Sequence, residues 1–256
     1  MIQKLGEKTL TAIKHSIETF ELFCNSLKNM SALNTLPVRR VLYKQIYFTG
    51  IESLRSTATI GIVIGIVIIT QVSNIIGLNT ILIGKVLVWS VIRELGPLFA
   101  AKIIIARSAS AIASELGSMK INKEITLLKI MGIDPLEYLI VPRIAGITIS
   151  IVILTFYFQI FSIIGGLILS SIFIDAPFLP HLKSIFSTLS IYEIGVSVLK
   201  SVVFGLTIST ISCYHGFRVQ SSIREIPIAT ATAITKSQSL VLILDGIITI
   251  ALYANI

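Results

Sequence analysis

The chain is read as an all-α integral membrane protein: an N-terminal interfacial amphipathic helix, five transmembrane helices, and a short cytoplasmic helix between spans two and three. Three observations predict this. Of 256 residues, 54% are hydrophobic and 13% charged, against roughly 25% charged in a soluble domain. The mean hydropathy is +0.91. Charge-free runs extend from Thr57 to Gly84 and from Ile144 to Ile174, both beyond the ~20 residues that cross a hydrocarbon core as a helix.

The N-terminal segment, residues 1–54, differs from the rest. Ile13, Ile17, Phe20, Cys24 and Leu27 recur at helical spacing, while Lys14, Glu18, Glu21, Asn25 and Lys28 take the other faces. Such a helix lies in the interface plane or packs against a partner. Pro37 ends it, and 38–53 continues as a second short helix. The transmembrane domain covers 55–256, with spans at 56–76, 81–106, 143–173, 193–214 and 237–255. Basic residues number eight in 1–55, five in 107–143 and three in 214–236, with Lys183 alone in 173–190. Positively charged loops stay on the cytoplasmic side, so the N-terminus is placed inside and the C-terminus outside. The net charge of +8 then faces anionic lipid, and nucleic acid is not a partner.

Within the second span, Arg93 and Glu94 are ionisable groups in an apolar setting, and Lys200 and Asp245 are isolated in the fourth and fifth. Each costs at least ~2.5 kcal/mol at mid-bilayer unless it finds a partner or a watery cavity. Adjacent helical residues point about 100° apart. Pairing Glu94 with Lys200 and Arg93 with Asp245 would therefore neutralise all four, as a staple of the bundle or as part of transport. Pro97 frees a backbone carbonyl and is expected to kink the helix.

Between spans two and three, residues of about 120–132 form a helix too short to cross a membrane. Asn122 is its expected N-cap, Ile125, Leu128 and Met131 share a face, and Gly132 with Asp134-Pro135 supplies the stop. Other chemistry finds no support. Cys24 and Cys213 give no disulfide framework, and His15, His181 and His215 have no metal-ligand spacing. Residues 77–86 imitate a phosphate loop, but six residues separate the glycines and Val86 replaces the required Ser or Thr. No catalytic group and no metal site are expected in this chain.

VIRELGPLFAAKIIIARSASAIASELGSMKINKEITLLKIMGIDPLEYLIVPRI, residues 91–144, resembles the signature of MlaE-type permeases, the membrane subunits of MCE-associated ABC transporters that move phospholipids or related lipids between membranes. Arg93 to Pro97, Ala106-Arg107, Glu115 to Gly117 with Met119, Met131 to Pro135 and Pro142-Arg143 carry the likeness. Residues 198–217, Gln71 and Asp245 extend it. The resemblance implies a homodimer enclosing a lipid cavity, and an ABC ATPase subunit that binds the ATP and Mg. It also implies a periplasmic MCE-domain protein, a STAS-domain subunit as an optional accessory, and a bacterial inner membrane or that of a bacterial-derived organelle.

The coupling residues so implied are Glu115, Met119, Asn122, Lys123, Glu124, Leu128, Met131, Gly132, Asp134 and Pro135, and Arg93, Glu94, Lys200 and Asp245 match the intramembrane charged positions. Ile64, Ile68, Gln71 and Val72 are candidates for lining the cavity. Where the family commonly has Thr-Glu-Gln, this chain has Asn122-Lys123-Glu124. A non-catalytic membrane scaffold and a secondary transporter are the competing classes, the latter disfavoured by the lack of visible internal repeats.

Overall fold

The computed structural model describes the backbone of residues 2–77, 79–173, 177–220 and 222–253, and the side chains of the same ranges apart from residues 2–13, 16 and 253. Nine helices are used below. These are α1 (Ile2–Lys28), α2 (Leu36–Thr49), α3 (Leu54–Ile76), α4 (Thr80–Ile121), α5 (Glu124–Ile130), α6 (Leu136–Phe173), α7 (Phe178–Thr188), α8 (Ile191–Phe217) and α9 (Glu225–Tyr253). Five stretches are long and apolar enough to cross a membrane: α2 with α3, α4, α6, α8, and α9 as far as Leu252. The protein is therefore a multi-pass, all-α membrane protein.

The spans run longer than the charge-free runs suggest. The fifth starts at Glu225 instead of residue 237, and α4 is 42 residues long, about 60 Å at ~1.5 Å per residue. Half of that length covers a hydrocarbon core of roughly 30 Å, so α4 projects well beyond the bilayer. The boundary expected between residues 54 and 55 falls at the start of α3. A single 3₁₀ turn, Ile51–Ser53, joins α2 to α3, and Gly50 and Gly146 let α2 lie against α6.

Helix α1 meets the bundle through Ser26, which is buried, and Leu22, which packs on the core, whereas Ile17, Phe20 and Leu27 are exposed together with Lys14, Glu21, Asn25 and Lys28. Ile13 falls outside the described side chains. On α6, Ile149, Ile153, Phe156, Ile160 and Ile164 form one exposed stripe, the pattern of a lipid-facing helix.

Close packing between spans comes from residues with little or no side chain. Gly61 and Gly65 on α3 are spaced four apart, and a Cβ on Gly65 would stand 1.9 Å from the Ser162 carbonyl oxygen and 3.1 Å from Gly166 Cα. Here the backbones of α3 and α6 touch. Gly205 meets Thr148 across α8 and α6, and Gly216 meets Ala113 and Leu116 across α8 and α4. Two apolar clusters result. One joins α4, α5, α6, α8 and α9 around Ile104, Leu116, Ile147, Leu154 and Phe204. The other joins α3, α4, α6 and α7 around Ile69, Leu87, Phe158 and Ile185.

Candidate functional site

Where α4, α8 and α9 meet, the isolated charges converge. Lys200 is fully buried, and its ammonium donates to Glu94 Oε2 at 2.6 Å, Asp245 Oδ1 at 2.9 Å and Thr249 Oγ1 at 2.8 Å. The expected Glu94–Lys200 pair is present. Asp245, expected opposite Arg93, lies instead on Lys200, and Arg93 Nε stands 3.6 Å from Glu94 Oε1. The four charges sum to zero either way. Lys200 is the hub because all three of its protons meet an oxygen.

Backbone geometry explains the aim of Glu94. Residues Val88–Leu95 are wound as a π-helix, in which the Gly96 N–H reaches back five residues to the Val91 carbonyl. Pro97 follows directly and has no N–H to continue the α ladder. The expected kink is thus a π-turn, a feature that concentrates at functional sites. The same solution recurs before Pro142, where the Val141 N–H donates to the Leu136 carbonyl.

Two buried polar bridges tie α6 to α8 beside the cluster. Gln159 Nε2 donates to Ser197 Oγ at 2.8 Å and to the Ile92 carbonyl at 3.0 Å, and Thr155 and Ser201 share a 2.9 Å bond one turn away. Thr249 and Gln159 were missed in the sequence, though both leave a signal. Thr249 is one helical turn from Asp245, and Gln159 is the amide within a 31-residue charge-free run from Ile144 to Ile174.

A second candidate region caps the far end of α4. The expected helix of about 120–132 is shorter: Lys120 and Ile121 end α4, and α5 covers Glu124–Ile130. Asn122 is not an N-cap; its side-chain amide donates to Glu124 Oε1 at 3.3 Å, while Lys123 makes the corner with φ 61. The reason is the continuity of α4, which leaves only two residues for the turn. The stop is as expected. Gly132 has φ 76, its N–H donates to the Lys129 carbonyl, and the Ile133 N–H donates to that of Leu128, a Schellman motif. Asp134 Oδ1 accepts the Leu136 N–H at 3.0 Å.

The face expected to hold Ile125, Leu128 and Met131 is split. Ile125 is buried and Leu128 and Met119 pack on the core, and Pro135 is buried too. Leu127, Ile130, Met131 and Ile133 are exposed, with Ile130 at 76%. Lys123, Glu124 and Asp134 stand exposed around them. On the adjoining helices Glu115 of α4 pairs with the buried Arg143 of α6 at 2.9 Å, and farther along α4 Arg107 bonds the Glu52 carboxylate at 2.6 Å and its carbonyl. Of the proposed lining residues, Ile64, Ile68 and Val72 are half-buried against the second apolar cluster, and Gln71 is exposed.

A family profile described as permease MlaE matches residues 42–251. The chain belongs to the MlaE permease family. A probable ABC transporter permease protein of Rickettsia typhi is 30% identical over 257 residues, covering 98% of each chain. A probable ABC transporter permease protein of Synechocystis is 30% identical over 201 residues, 78% of this chain and 76% of that one. The chloroplastic protein TRIGALACTOSYLDIACYLGLYCEROL 1 of Arabidopsis thaliana is 30% identical over 173 residues, 68% of this chain and 49% of that protein. This MlaE permease is accordingly a membrane subunit of an ABC-type transporter.

Proposed function

We propose that this permease moves phospholipid or a related lipid between membranes, driven by ATP hydrolysis on a separate ATPase chain that binds the nucleotide and Mg. The observation that carries the coupling is the knob. Four large apolar side chains, Leu127, Ile130, Met131 and Ile133, are exposed together on a short helix closed by a Schellman turn and seated on the core by Ile125 and Leu128. Exposed apolar clusters of this kind mark protein interfaces. The excess of basic residues in the same loop supports a cytoplasmic location, where ATP is found.

The lipid reading is supported by the Arabidopsis relative, whose name carries a galactolipid. We place the lipid in a cavity between two copies of the chain, with α3 contributing Ile64, Ile68, Gln71 and Val72, and with a periplasmic MCE-domain protein receiving or delivering it. The N-terminus is cytoplasmic and the C-terminus periplasmic, in a bacterial inner membrane or that of a bacterial-derived organelle. Purifying the tagged chain from its native membrane, then identifying co-eluting proteins and extracting retained lipids for mass spectrometry, tests this. An ATPase chain and an enriched lipid class are expected. A chain that elutes with neither contradicts the proposal.

A further inference from the structure

The π-turn in α4 leaves one carbonyl without a helical donor. In an α-helix the Ile92 carbonyl would accept from the Gly96 N–H, but that N–H is committed to Val91. In the π register its partner would be residue 97, which is a proline and has no N–H. An unpaired carbonyl inside a membrane bundle is costly, and here it is filled from another helix. Gln159 Nε2 donates to the Ile92 carbonyl at 3.0 Å and, with its second proton, to Ser197 Oγ at 2.8 Å.

The same amide thus grips α4 two residues before Glu94 and α8 three residues before Lys200. Gly96 makes this possible: a Cβ there would stand 2.8 Å from Gln159 Nε2, 2.9 Å from its Cγ and 2.9 Å from the Val91 carbonyl oxygen. We propose that Gln159 is a positioning residue, a latch that holds the π-turn open and thereby aligns Glu94 with Lys200.

Without the latch, the Ile92 carbonyl recovers a partner when the turn relaxes to the α register with Gly96. That change turns the residues before the bulge by about 100° relative to those after it and shifts them by ~1.5 Å. Glu94 lies within the segment that must turn. The inference concerns the ion cluster alone and holds whatever cargo the permease carries.

Trp89 is the single tryptophan of the chain and sits near the start of the π segment, half exposed at 54%, so it reports the register. The test compares Trp89 emission and acrylamide quenching of the full chain in lipid nanodiscs for wild type, Gln159→Leu and Gln159→Met, neither of which carries a donor for the carbonyl. Thr155→Val is the control, because it removes the neighbouring α6–α8 bond to Ser201 and touches no α4 carbonyl.

Both Gln159 variants are expected to shift the emission maximum and the quenching constant, and Thr155→Val to leave them at wild-type values. Folded Gln159 variants with an unchanged Trp89 signal overturn the proposal, as does an equal shift in Thr155→Val. If Gln159→Leu does not fold, Pro97→Ala supplied in the same chain restores an N–H at residue 97. Recovery of folded yield in the double variant supports the latch, and an equally low yield overturns it.

Discussion

Replacing Lys200 with methionine keeps the volume of the side chain and removes the ammonium that bonds the carboxylates of both Glu94 and Asp245. In the wild type its ammonium is fully buried and makes three bonds of 2.6, 2.9 and 2.8 Å. Its loss leaves two carboxylates facing each other, with Arg93 at 3.6 Å from one of them, so the cluster passes from neutral to a charge of minus one. Breaking a buried pair by removing one partner costs roughly 3–5 kcal/mol, because an uncompensated charge remains in low dielectric.

The assay is thermal unfolding of the purified chain, with Lys200→Met, Asp245→Asn and the double variant compared in a cycle. Lys200→Met is expected to lower the melting temperature sharply. Adding Asp245→Asn should return much of the loss, since Arg93 and Glu94 then balance. A Lys200→Met protein as stable as wild type, or a double variant no better than the single, refutes the reasoning.

Gly65→Ala forces a Cβ into backbone that cannot step aside, 1.9 Å from the Ser162 carbonyl oxygen, and is expected to cost about 3 kcal/mol or more in thermal unfolding. Gly195→Ala, with nothing within 4 Å, should be neutral or slightly stabilising in the same assay. Ile130→Asp is expected to leave stability unchanged, because the side chain is 76% exposed, and to abolish ATPase co-purification.

Glu18 should make the docking of α1 sensitive to acid. The Tyr214 hydroxyl donates to its carboxylate at 2.5 Å and holds its pKa below the ordinary 4.5. The tether is therefore fully present above the ordinary value and is lost as pH falls through the lowered one. Hydrogen exchange over residues 15–26 should rise in that window, and Tyr214→Phe should flatten the dependence.

Much of this architecture is legible in the residues. A charge-free run must hide its backbone bonds in a helix, so the spans could be read, and an isolated Lys200 must find a partner, so Glu94 could be named. The further match of Arg93 with Asp245 failed for a physical reason. The direction of Glu94 depends on a π-turn, and that turn depends on Pro97 together with Gln159, which is distant in sequence.

The end of α5 was readable because Gly132 can adopt a positive φ. Its start was not, because α4 runs on through Lys120 and Ile121 and leaves Lys123 to make the corner. The spacing of Gly61 and Gly65 signals a close helix contact, but only the fold shows that Ser162 and Gly166 receive it. The lining candidates Ile64, Ile68 and Val72 illustrate a limit of pattern. A side chain facing lipid, core or cavity is equally apolar, so no periodicity distinguishes them.

The central claim, a permease that moves lipid under the drive of an ATPase docked on the α5 knob, is tested most directly by reconstitution. The chain and its co-purifying ATPase are placed in donor vesicles with a headgroup-labelled phospholipid, and transfer to acceptor vesicles is followed with and without ATP in wild type and Ile130→Asp. ATP-dependent transfer that disappears in Ile130→Asp, while the variant remains folded in the membrane, is the predicted result. Transfer at the same rate with and without ATP, or undiminished in the variant, contradicts the account.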